Sequence, residues 1–82
     1  MTSKEIELEE ALSWANTMQV AIEDMARSYH SKAAVARFFK NKASEDENSA
    51  KGAEASREVI YLGFCIGALE EKIENLEKEK AP

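Results

Sequence analysis

Glycine and proline, the residues that punctuate turns, are scarce: the 82 residues hold three glycines and one proline, Pro82. A sheet of short strands joined by tight turns needs more of both, which points to an all-α fold. Cysteine occurs once, as Cys65, and histidine once, as His30. A single cysteine excludes an intrachain disulfide and suits a reducing compartment. One residue of each kind cannot assemble a four-ligand Cys/His zinc site. Long apolar runs are also lacking. Val59 to Leu69 is an uncharged stretch of eleven residues, well short of the roughly 20 that a membrane-spanning helix needs. The opening MTSKEIELEE has no apolar core of an export signal. These absences predict a cytoplasmic chain with no membrane contact, no metal and no cofactor.

Charge is plentiful but uneven. The net charge is −5, and cations balance anions over residues 1–43, so the acidic excess lies in residues 44–82. Binding phosphate backbones requires clustered Lys and Arg, so nucleic acid is a poor fit as a partner. Most glutamates are expected on solvated helix faces, and an acidic surface also suits a basic patch on another protein.

Ala, Glu, Lys and Leu dominate, and all are good helix formers. Thr2-Ser3-Lys4-Glu5 carries the hydroxyl-to-carboxylate spacing of a capping box. Ser44-Glu45-Asp46-Glu47 repeats it, with three acids suited to the positive end of a helix dipole. The reading that follows is a single helical domain over 1–82. A helix at 3–42, either continuous or bent near 28–31, is followed by a loop at about 43–48 and a second helix at about 49–79. In the first region Leu8, Leu12, Ala15, Met18, Ile22, Met25, Tyr29, Ala33 and Ala36 form one stripe at steps of three and four. Val35, Phe38 and Phe39 fall away from it. Trp14 lies beside it, as a core-edge residue or an interface anchor.

The second region has a sharper pattern. Val59, Leu62, Ile66, Leu69, Ile73 and Leu76 alternate steps of three and four, with β-branched residues at one heptad position and leucine at the other. In a parallel pair this composition favours two strands, with Lys72 and Glu77 placed to attract across the interface; an antiparallel bundle can use the same seam. Ile60 and Phe64 fall on a second face, and Gly63 and Gly67 have the spacing that admits a close neighbour at about 1 kcal/mol each in helix propensity. A helix apolar on two faces must touch more than one neighbour. Val59, Leu62, Gly63, Phe64, Ile66, Gly67, Leu69, Ile73 and Leu76 are therefore the expected contacts between copies, in a helical hairpin that assembles into a homo-oligomeric bundle.

Catalytic chemistry finds little support. Arg27 stands three residues before His30, where a di-metal helical bundle would need glutamate. Glu7 with Glu10, and Glu71 with Glu74, place carboxylate pairs on helices, the weak basis for a magnesium-dependent nucleotide hydrolase. Cys65 sits in apolar sequence, where a thiol acts as a small hydrophobe. Residues 27–42 hold six basic side chains including His30, three aromatics and no acid. Within this stretch Arg27, Tyr29, His30 and Arg37 are candidates for holding an anionic, nucleotide-like ligand; the competing reading is that they pair with the acidic second helix.

The run LEEALSWAN at residues 8–16 resembles a helical segment of small phage proteins that sequester cyclic nucleotides. The resemblance covers nine residues, and it implies a helical, oligomeric protein that binds a ligand without turning it over. The residues themselves predict a non-enzymatic interaction module, of regulator, inhibitor or adaptor type, that binds itself and another protein. The alternative is a binder of an anionic small molecule at a subunit interface.

Overall fold

The computed structural model describes residues 2–80. Two helices account for nearly all of them: α1 (Ser3–Phe38, 36 residues) and α2 (Lys42–Lys80, 39 residues). They lie antiparallel as a hairpin rod of 65 × 15 × 12 Å. No strand and no helix long and apolar enough to cross a membrane occurs among the described residues.

The start of α1 follows the capping-box expectation. Thr2 is extended, its hydroxyl oxygen accepts from the Glu5 N–H at 3.2 Å, and the same hydroxyl donates to the Glu5 carboxylate. Lys80, at the far end of α2, pairs with that carboxylate, so the N-terminal cap also ties the two chain ends together.

The turn is tighter than the sequence suggested. Phe39, Lys40 and Asn41 alone connect the helices. The Lys40 N–H donates to Arg37 C=O at 3.0 Å and the Asn41 N–H to Ala36 C=O at 2.8 Å. Together these form the paired 5→2 and 6→1 bonds of a Schellman motif. Lys40 takes the left-handed conformation at φ 59° that the motif requires. Asn41 then caps α2, accepting from the Ser44 N–H at 3.2 Å. The expected loop at 43–48 is therefore the first turns of α2, and Ser44 lies inside the helix, where its oxygens accept from Asn48. Nor does α1 bend at 28–31: it runs unbroken to Phe38.

One packing repeat explains the unbroken geometry. The seam on α1 runs through Glu5, Leu8, Leu12, Ala15, Gln19, Ile22, Ala26, Tyr29, Ala33 and Ala36, all buried or half-buried at alternating steps of three and four, with Met18 and Glu23 half-buried beside it. On α2 the same alternation runs from Glu45 through Asn48, Gly52, Ala55 and Val59 to Leu76. A sustained heptad keeps one seam facing the partner helix. Ala26 takes the seam position expected of Met25, which is 49% exposed. Register is fixed by Gln19, whose amide donates to the Val59 C=O at 3.3 Å, and by Arg37, which bonds Glu45 at 2.8 Å.

Candidate interaction surface

The Val59–Leu76 seam serves contacts within the chain. Val59, Leu62, Ile66, Leu69, Ile73 and Leu76 are buried or half-buried between the helices, because α1, tethered by a three-residue turn, is the nearest apolar neighbour. Of the nine residues expected to meet another copy, Phe64 is 75% exposed and Gly67 has nothing within 4 Å of the position a Cβ would take. Gly63 is half-buried, and a Cβ there would meet only the Gln19 amide, at 3.5 Å. The heptad places Lys72 and Glu77 on opposite flanks of α2.

The rod has two flanks of different character. One carries the grooves. Met18, Ile22, Tyr61 and Leu62 line one together with Glu54 and Glu58, a cavity of about 450 Å³. Met25, Tyr29 and Lys51 line the next, sharing Glu54 and Glu58. Val35 and Phe39 line a third near the turn, and Lys4, Lys72 and Glu79 a fourth at the open end. Trp14, 62% exposed, extends this flank, being four residues before Met18. Phe38 and Phe39 meet edge to face at the turn, 5.2 Å between ring centres.

The opposite flank holds part of the proposed anion site. Arg27 and His30 line a shallow cavity of about 360 Å³ with Glu23, Ser56 and Ile60. Arg27 also lies 3.7 Å from Asp24. Arg37 is held by Glu45, and Tyr29 stands on the grooved flank, 5.7 and 5.8 Å from the Lys32 and Lys51 ammonium groups. So Arg27 and His30 share a cavity that neither Tyr29 nor Arg37 lines. His30 has a packing role as well. A Cβ on buried Gly52 would fall 2.8 Å from its Cε1, so the imidazole lies directly against the α2 backbone.

Electrostatics add little chemistry. Lys51 is held above its ordinary pKa by a hydrogen bond from its ammonium to Glu47 and by the charge of that carboxylate. Among the described residues no group of three or more His, Cys, Asp or Glu converges as a metal site.

The grooved flank is the feature that sequence reading missed. Trp14, Met18, Ala21 and Met25 step by four, three and four, and the series continues through Ser28 and Lys32 to Val35 and Phe39. That spacing was the available signal, and the stronger stripe beside it drew off Met18 and Met25. No protein-family model, no curated protein and no solved structure matches the chain.

Proposed function

We propose that this protein is a non-enzymatic, homo-oligomeric helical interaction module, a small regulator or adaptor that binds a protein partner through the faces its own assembly leaves open. The supporting observation is the mismatch between its core and its surface. No large side chain among the described residues is fully buried, while Trp14, Val35, Phe38, Phe39, Ile60, Tyr61 and Phe64 are each more than half exposed. Of these, Trp14, Tyr61, Val35 and Phe39 lie along the grooved flank with Met25, itself 49% exposed, and a monomeric soluble protein rarely leaves a large contiguous apolar patch in water.

Area supports the same reading. A compact monomer of 9.2 kDa would expose about 4,900 Å², whereas this chain exposes 6096 Å². The excess is on the order of the ~800 Å² that each partner buries in a standard interface. Light scattering coupled to size exclusion, over a concentration series, tests the proposal. The expected mass is a multiple of 9.2 kDa; a folded monomer at every concentration would overturn it. Glu70, Glu74 and Glu77, exposed near the open end, are the acidic side chains offered to a basic partner.

Arg27 and His30 sharing one cavity keeps a second reading in play, an anionic small molecule bound at that flank. A nucleotide panel in a thermal-shift assay would raise the melting temperature if this reading holds, and a flat panel would remove it.

A further inference from the structure

The grooved flank of α2 carries a charge pattern in which Lys51 bonds Glu47 within its own helix, while Glu58, Lys72 and Glu79 make no ion pair among the described residues. At intervals of seven residues it reads Lys51, Glu58, Cys65, Lys72, Glu79. Lys51 and Glu58 line one groove of the flank, and Lys72 and Glu79 line another. Cys65, exposed, stands midway between Glu58 and Lys72. Read backwards, the series has the opposite sign at every charged place. We propose that a second copy of this chain packs on this flank in the reverse direction, with the two-fold axis at Cys65, giving an antiparallel four-helix bundle.

Three observations carry the choice of occupant. First, charge: two copies reversed about Cys65 set Lys51 against Glu79 and Glu58 against Lys72, each pair occurring twice by symmetry. Copies laid with their turns at the same end lose this match about Cys65. Second, period: Trp14, Met18, Ala21 and Met25 extend the flank along α1 with the four-three spacing of long helices packed on long helices. The same reversal brings Trp14 of one copy to the level of Met18 of the other, so apolar meets apolar. Third, area: the surface excess derived above, about 1,200 Å², is enough for one standard interface of ~800 Å² per chain.

This inference rests on the proposed self-association and adds its face, direction and centre. The variants chosen sit on exposed positions, and circular dichroism checks that each remains helical. Glu58→Lys and Lys72→Glu, made singly, should each weaken self-association by about tenfold or more, because two symmetric pairs become like-charged. Mixing the two single variants should restore a heterodimer, in which every Glu58–Lys72 pair is again of opposite sign. Trp14→Glu should dissociate the assembly. A short bis-maleimide should join Cys65 to its copy in the wild type and fail to do so in Trp14→Glu. An assembly whose mass and cross-linking are indifferent to all these changes uses another face, which overturns this inference and leaves self-association standing. A wild-type chain that is monomeric throughout removes both.

Discussion

The two halves of the rod solve the same packing problem with different side chains. Near the turn the seam is built from Ala26, Ala33, Ala36, Gly52 and Ala55, all buried. Toward the open end Ala15 is buried at 3% exposure, but the seam is otherwise built from Leu8, Leu12, Ile22, Leu62, Leu69, Ile73 and Leu76, none better than half-buried, with Ile66 at 8% exposure as the exception among large residues. Two helices are enough to cover a methyl group. They cannot wrap an isobutyl or sec-butyl side chain, whose outer atoms stay wet unless a third or fourth helix arrives. The seam of the turn half is therefore closed within one chain, and the seam of the open half keeps the outer atoms of its large side chains in water.

The largest expected effect breaks the comparison at its two centres. Ile66→Ala should cost about 2–4 kcal/mol, by lost transfer energy and a cavity that a rigid seam closes only in part. In the turn half the harmful direction is the reverse: Ala33→Leu should cost about 1–3 kcal/mol by forcing the helices apart. Chemical denaturation at one fixed protein concentration measures both, since assembly makes stability concentration-dependent. If truncating Ile66 were harmless and Ala33→Leu stabilising, the two halves would not differ as described.

The same contrast explains what could be read from the sequence. Helical class and the seam from Val59 to Leu76 were legible because β-branched residues and leucines mark every seam position. Upstream, the seam continues through Glu45, Asn48, Gly52 and Ala55, residues with no hydropathic signature, so the start of α2 passed for a loop. The turn was hidden in a similar way. Its left-handed residue is Lys40 rather than glycine, and Asn41 caps α2 without the acid three residues later that marks a capping box. Tyr29 and Ala33 stay in seam phase, so Ser28 and His30 do not bend α1. Of the candidate ligand residues, Arg27, His30 and Arg37 are three and seven residues apart, near one face of a helix; the Glu45 side chain that claims Arg37 comes from the other helix and leaves no local trace.

The turn half can be sharpened rather than broken. At Lys40 a Cβ is carried in a left-handed conformation that glycine adopts without penalty. Lys40→Gly should raise stability by about 0.5–1 kcal/mol, the strain relieved exceeding the extra freedom glycine gives the unfolded chain. A higher denaturation midpoint with an unchanged slope is the expected result. A loss of stability would mean that the Lys40 side chain does more for the turn than its backbone strain costs.

The smallest effect compares the ion pairs at the two ends. Arg37 bonds Glu45 beside the turn, and Lys80 bonds Glu5 at the open end; the glutamates are 17% and 12% exposed, the cations 75% and 49%. With the basic partners this open to solvent, each pair contributes only about 0.5 kcal/mol, less in high salt. Their consequences should nevertheless differ. Removing Arg37 leaves the helices joined by the turn, so the neighbouring amides stay protected. Removing Lys80 releases the start of α1 from the end of α2, far from the turn, and fraying of helix termini costs little free energy. Hydrogen exchange should therefore speed up over the first turns of α1 in Lys80→Ala and change little around Glu45 in Arg37→Ala. Equal protection at both ends in the two variants would show that the open half is held by something other than this pair, and a second chain packed along the Cys65 flank would hold it in that way.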